Sequence, residues 1–214
     1  MLHLNVFLFS PIRENTYLLY DGSGNCAVID PGCYFQEERE ALASFISGKG
    51  LKPVMLLNTH CHLDHVFGNR FVAETYGLPL HLHPLEQRML ELAPTSGLMW
   101  NLPFDNYDGE LVFLEPGKSI RIGTDELEVI FIPGHSPGSV GFYSRSQGFI
   151  VSGDVLFREG VGRTDLPGGD LKVLSESIRQ TLYTLPEETV VHSGHGPSTT
   201  IGWEKGHNPH VPFI

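Results

Sequence analysis

The chain is short of cysteine, short of positive charge and without any long apolar run, and each shortage excludes a class of protein. Three cysteines, Cys26, Cys33 and Cys61, occur in 214 residues. An odd number with no paired spacing makes no disulfide framework, which leads to the expectation of a reducing, cytoplasmic compartment. Lys and Arg total 14 against 25 Asp and Glu, a formal charge of −11. A surface of that sign repels a polyphosphate, so nucleic acid is not an expected partner. No apolar stretch reaches the roughly 20 residues of a membrane span. Met1–Ser10 lacks the basic start of a secretory leader, and His3 and Asn5 interrupt its apolar residues, so neither membrane nor export is expected. Internal repeats, low-complexity runs and Gly/Ser-rich linkers are missing too. The remaining composition, 41% hydrophobic and 18% charged, suits a globular chain with a substantial core, and the length suits one domain over residues 1–214.

Apolar patterning predicts strands at Leu4–Phe9, Asn15–Leu19, Cys26–Ile29 and Val54–Leu57 in the first half. A helix is expected over Glu37–Ile46, and another starting near Asp64, where Phe67 and Phe71, like Val72 and Tyr76, repeat at four-residue spacing. The second half predicts strands at Glu110–Leu114, Ser119–Ile122, Leu127–Ile132, Ser139–Tyr143, Phe149–Ser152 and Thr189–His192, with a helix over Leu171–Leu182. Strands precede helices within each half. That order suggests an α+β chain with two packed sheets and helices outside, not a regularly alternating parallel sheet.

Chemistry concentrates in Thr59-His60-Cys61-His62-Leu63-Asp64-His65. Imidazole nitrogen and carboxylate oxygen are the donors that borderline divalent metals favour. His60 and His62 alternate after an apolar strand, so extended backbone would turn both rings to one side and Cys61 away, to pack as a small buried hydrophobe. Asp64 and His65 would enter the next helix and aim at a second point. Four candidate ligands in six residues exceed what one tetrahedral ion takes from one loop, which hints at two ions. Three further candidates, His135, Asp154 and His195, each follow an apolar run and sit beside glycine, in Gly134-His135-Ser136-Pro137-Gly138, Ser152-Gly153-Asp154 and Gly194-His195-Gly196. No serine or cysteine is paired with a base, so a metal-generated nucleophile is the expected route.

On these motifs, together with Val155-Leu156-Phe157 and Gly162-Arg163-Thr164-Asp165, the chain resembles the metallo-β-lactamase superfamily, in particular its short, single-domain glyoxalase II-like branch. The resemblance runs from about Asn15 to Pro209 and implies a four-layer αβ/βα sandwich with a dinuclear site at the sheet edge. It implies His60, His62 and His135 on one metal, Asp64, His65 and His195 on the other, and Asp154 bridging, with Asp64 and Asp154 as the catalytic carboxylates. Zinc is the expected metal, with iron or manganese as alternatives. Asp30, in Val28-Ile29-Asp30-Pro31-Gly32, is expected to orient a metal-bound histidine, and Arg163 to bind substrate. The activity implied is hydrolysis of a small anionic thioester, S-lactoylglutathione to lactate and glutathione, by a metal-bridging hydroxide. A thiolate leaves without a strong general acid, whereas an amide nitrogen needs a proton.

The chain departs from full-length glyoxalase II in three respects. Only 19 residues follow His195, too few for the helical C-terminal domain; Asp165 and Pro197 stand where tyrosines are usual. The alternative reading is a mononuclear iron persulfide dioxygenase of the same fold, with His60, His135 and Asp154 sufficient for its centre. Pro94–Tyr107, with Leu98, Met99, Trp100 and Phe104, reads either as an apolar wall beside the metals or as a surface crossing. His81, His83, His207 and His210 read as bystanders, and His192 as a core or supporting residue.

Overall fold

The computed structural model describes residues 1–212, so the last two residues of the domain expected over 1–214 lie outside them. The chain gathers into two compact units, residues 1–114 with 121–126, and residues 115–120 with 127–214. Both join a sheet to helices, and no helix of the described residues is long and apolar enough to cross a membrane.

The first unit opens with β1 (His3–Phe9), β2 (Glu14–Tyr20) and β3 (Asn25–Ile29), followed by α1 (Gln36–Gly48) and β4 (Lys52–Leu57). Glu38 starts α1: its carboxylate accepts from the backbone N–H groups of Tyr34, at 2.8 Å, and Phe35, at 3.0 Å. A negative charge there complements the free N–H groups of the first turn. Next come α2 (Leu63–Val66), α3 (Asn69–Tyr76), β5 (Leu80–Leu82), α4 (Gln87–Met99) and β6 (Leu111–Phe113). The six strands lie in the order β1-β2-β3-β4-β5-β6. β1, β2 and β3 pair antiparallel; β3 to β6 pair parallel. Because β3 and β4 run parallel, the loops leaving them, Asp30 onward and Asn58 onward, emerge at the same sheet edge.

Where one helix was predicted from Asp64, two form. The backbone N–H of Gly68 donates to the carbonyl of Pro31 at 2.7 Å, which interrupts the helical ladder. A further difference is α4, which takes residues 94–99 of the stretch that reads as a wall or a crossing. It accommodates Pro94 because Asn106 Nδ2 donates, at 2.7 Å, to the Leu90 carbonyl that proline cannot serve. Leu98, Met99 and Trp100 at its end are exposed, while Phe104 packs edge-on against Phe67 with centroids 4.9 Å apart.

The second sheet has the order β14-β13-β10-β9-β8-β7, from β7 (Ser119–Ile122), β8 (Asp125–Phe131), β9 (Val140–Ser144), β10 (Phe149–Gly153), β13 (Val190–Ser193) and β14 (Thr199–Thr200). A two-stranded ribbon, β11 (Leu156–Phe157) with β12 (Gly160–Val161), follows β10. α5 (Leu171–Gln180) starts on the Asp170 carboxylate, which accepts from Lys172 and Val173 N–H, and α6 (Ile201–His207) closes the unit. β10 is parallel to β13 and antiparallel to β9, which is itself antiparallel to β8. β8, β10 and β13 therefore point the same way, and the residues that leave their C-terminal ends share one edge. Separate buried clusters support each unit, one around Leu18, Val28, Leu42, Leu56 and Val72, the other around Ile132, Ile150, Leu174, Ile178 and Val191.

Candidate metal centre

In the first unit the edge after β3 and β4 carries a buried polar cluster, built around Asp30. Asp30 is 1% exposed and holds a left-handed backbone, φ 49°. Its Oδ1 accepts from Thr59 N–H at 2.7 Å and Asn58 Nδ2 at 3.2 Å. Its Oδ2 accepts from the Thr59 hydroxyl at 2.5 Å and faces His65 Nδ1 at 3.1 Å. A carboxylate of this kind only accepts, so His65 Nδ1 carries the proton and Nε2 keeps its lone pair. His60 follows by the same logic. Its Nδ1 lies 3.1 Å from the Thr59 hydroxyl, whose own proton goes to Asp30, so the ring donates at Nδ1 and again keeps Nε2. Donor atoms of Asp30, His60 and His65 lie within 4.8 Å of one another. Asp30 thus contacts the His65 ring directly and the His60 ring through the Thr59 hydroxyl.

The histidine rings crowd together. Centroids of His60 and His62 are 4.8 Å apart, those of His60 and His65 4.1 Å. His65 Nε2 and Asp64 Oδ2 are 3.8 Å apart. His60, His62, Asp64 and His65 are all buried. Cys61 points into the core cluster at 1% exposure, and burial pushes its thiol well above the usual range, which fits packing and not catalysis. Burial likewise pushes Cys26 and Cys33 up to about 12.

In the second unit His135, Asp154 and His195 leave β8, β10 and β13. His135 Nδ1 lies 2.7 Å from the Arg163 carbonyl, an obligate acceptor, so this ring too is protonated at Nδ1 and presents Nε2. That Nε2 is 3.7 Å from Asp154 Oδ2, and His195 Nε2 is 3.6 Å from the same oxygen. These separations exceed an N–H···O hydrogen bond. They approach the roughly 3.4 Å between two donors that each bind one cation at about 2.1 Å in a tetrahedral array. Gly162 lets this happen: a Cβ there would stand 1.9 Å from the Asp154 carbonyl and 2.9 Å from His135 Nδ1. Gly32 plays the same part in the first unit, its missing Cβ leaving room for Glu14 Oε2 and the Asp64 carbonyl.

The donor chemistry and spacing in each unit fit metal ions, and each unit carries part of the expected set. Arg163, expected to bind substrate, is exposed. Its Nε and Nη2 pair with the two oxygens of Asp165 at 2.7 Å each, and it is its backbone carbonyl that serves the site. Arg163 in turn holds Asp165 down to about 2. His192 is half-buried against Phe149, and burial lowers it to about 4. His207 stacks on Trp203 with centroids 4.0 Å apart.

Sequence reasoning missed three supports. Glu86, fully buried, accepts from Cys61 N–H at 2.7 Å and so fixes the backbone between the two alternating histidines. Glu14, also fully buried, lies 4.0 Å from His65 Nδ1, and its carboxyl is pushed well above the usual range by desolvation. Asn58 Nδ2 donates to the His65 carbonyl at 2.9 Å and is itself held by Asn69. Nothing in a single sequence separates these side chains from surface ones of the same type.

Comparison with known proteins agrees with the geometry. The profile described as the Metallo-beta-lactamase superfamily matches residues 10–195. The chain is 39% identical over 201 residues to the probable metallo-hydrolase YqgX of Bacillus subtilis, covering 93% of this chain and 92% of that one. It is 33% identical over 210 residues to the hydroxyacylglutathione hydrolase GloC of Haemophilus influenzae, 97% of each. Among solved structures, the B3 metallo-beta-lactamase BLEG-1 matches with a TM-score of 0.90 and 39% identity, over 98% of this chain and 99% of that one. TTHA1623 in a di-iron-bound form matches at 0.87 and 40%, over 96% and 98%. The chain belongs to the metallo-beta-lactamase superfamily and has its fold. It is accordingly a metal-dependent hydrolase of that superfamily.

Proposed function

We propose that both units work as one domain that hydrolyses a small anionic thioester of the S-lactoylglutathione type. In this reading His60, His62, Asp64, His65, His135, Asp154 and His195 hold two divalent ions, zinc foremost. Asp64 and Asp154 are its catalytic carboxylates. The observation that carries it is the hydrogen bonding at Nδ1: His60, His65 and His135 each set that nitrogen against an oxygen, which leaves Nε2 of each ring to serve as a metal donor. Such a pair of ions supplies Lewis acidity and an acidic bound water near neutral pH.

The chain's own residues then have definable tasks. Asp30 holds the Nδ1 proton of His65 and, through the Thr59 hydroxyl, that of His60, so neither ring can rotate or change tautomer without breaking a buried hydrogen bond. The Arg163 carbonyl does the same for His135. Asp154 presents one oxygen at similar distances from His135 and His195, 3.7 and 3.6 Å, which supports its reading as a ligand beside both. No described cysteine takes part as nucleophile, since all three are buried thiols.

The preference for a thioester rests on the likeness to GloC and on leaving-group chemistry, because a thiolate needs no delivered proton. The likeness to BLEG-1 favours a second reading, β-lactam hydrolysis. One experiment separates them. Metal content of the purified protein is measured by elemental analysis, and the same preparation is assayed with S-lactoylglutathione and with a chromogenic cephalosporin. About two metal equivalents and a kcat/KM at least 100-fold higher for the thioester are expected. Faster β-lactam turnover, or a single iron with oxygen uptake on glutathione persulfide, would refute the proposal.

A further inference from the structure

The turn between β11 and β12 stands beside His195, and the proposed chemistry leaves it unused. Phe157 pairs with Gly160, so Arg158 and Glu159 form a two-residue tip. Glu159 is held at φ 58°, a conformation that L side chains rarely adopt. Glu204, 0% exposed, holds it there. Its Oε2 accepts from Glu159 N–H at 2.9 Å and from Asn208 Nδ2 at 2.8 Å, and its Oε1 accepts from the Thr199 hydroxyl at 2.5 Å. Asn208 Nδ2 also reaches the Gly160 carbonyl at 3.1 Å. A buried carboxylate is tolerated only when donors satisfy it. Here those donors converge on the turn.

The tip presents two unlike charges that are kept apart. The Arg158 guanidinium lies over the Trp203 ring, 5.5 Å from its centroid, while Glu159 Oε1 accepts from Trp203 Nε1 at 3.2 Å. Both side chains are exposed, and among the described residues neither joins an ion pair. They line a cavity of about 320 Å³ together with Phe157, His195, Gly196 and Pro197. That volume lies within the range of small-molecule sites. One wall of the cavity is thus a residue of the proposed metal set, and another carries a cation and an anion side by side. Arg163, by contrast, already has its charge matched by Asp165.

We propose that this cavity binds the zwitterionic α-amino-acid end of the substrate, with Arg158 taking its carboxylate and Glu159 its ammonium. The inference rests on the thioester reading for the identity of the rest of the substrate. The γ-glutamyl end of a glutathione thioester carries both groups; a plain carboxylate would satisfy half of the site, and a polyphosphate tail would meet repulsion from Glu159.

The test is calorimetric titration of the full-length, metal-loaded protein with S-methylglutathione, which cannot be hydrolysed, and with its N-acetyl derivative, which lacks the ammonium. Wild type should bind the free amine about tenfold more tightly than the acetylated ligand. Arg158→Gln should weaken both by about tenfold or more, and Glu159→Gln should weaken only the free amine and erase the preference. Equal affinities for the two ligands in wild type, variants within twofold of wild type, or no binding at millimolar ligand would each overturn the proposal. Hydrolysis of S-lactoylglutathione is measured on the same samples. Turnover with unaltered variant affinities removes this inference and keeps the hydrolase; charge-dependent binding without turnover keeps the cavity and removes the hydrolase.

Discussion

Asp30→Asn takes one charge and almost no volume from the buried centre of the first unit. The backbone has no reason to move, because asparagine accepts the left-handed conformation at φ 49° as readily as aspartate does. The hydrogen bonds cannot survive intact. Both carboxylate oxygens accept two donors each, from Thr59 N–H and Asn58 on one, and from the Thr59 hydroxyl and His65 Nδ1 on the other. An amide NH₂ in either place faces two donors with two more. At about 1.5–3 kcal/mol for each hydrogen bond to a charged group, the loss is about 3–5 kcal/mol after partial relaxation. The part felt by the metals is smaller, because His65 and His60 lose orientation but keep their Nε2 atoms. A loss of about 10- to 100-fold in metal affinity is expected. Chelator competition at pH 7 measures the second quantity, and urea denaturation of the metal-free protein measures the first. Affinity within twofold of wild type, together with an unchanged midpoint, would show that Asp30 does not orient these rings.

Three other perturbations follow from particular contacts. His192 titrates near 4 in the folded protein against an ordinary 6.5. The unfolded chain therefore takes up its proton first as pH falls. The stability contribution is complete above about 6.5 and lost progressively down to about 4, up to about 3 kcal/mol and nearer 2 for a half-buried ring. His192→Gln should flatten the acid limb of stability against pH by that amount, and an unchanged limb counts against it. Gly162→Ala forces a methyl against the Asp154 carbonyl and the His135 ring; metal binding and activity should fall at least tenfold, and retained metal stoichiometry at low metal concentration would contradict the packing. Asn106→Ala strands the Leu90 carbonyl beneath Pro94 and should cost about 1–2 kcal/mol in urea. In a Pro94→Ala background, where the helix supplies its own N–H, the cost should shrink. An equal cost in both backgrounds would mean that Asn106 stabilises the helix by another route.

Much of this chain is legible in its sequence. Most predicted strands fall within two residues of those found, because short apolar runs bounded by Gly, Pro and Asn leave few other conformations. The seven candidate ligands were named from residue type, spacing and resemblance, since a metal's preference for imidazole and carboxylate is chemical and local. Helix α4 is not legible in the sequence, because Pro94 lacks the N–H its place in a helix needs, and the donor that replaces it, Asn106, lies twelve residues downstream in a loop.

The protonated nitrogen of His65 and His135 is not a property of those residues' neighbours in the sequence. It is fixed by Asp30 and by the carbonyl of Arg163, acceptors 28 to 35 residues distant that the parallel strands and the Gly162 turn bring within reach. The burial of Glu14, Glu86 and Glu204 was decided at the same level. A carboxylate's cost in the interior depends on donors supplied by other segments, and nothing along the chain records which donors will arrive. Residue chemistry and local pattern determined the kind of site this protein carries; only the folded backbone decided which atoms of those residues face it.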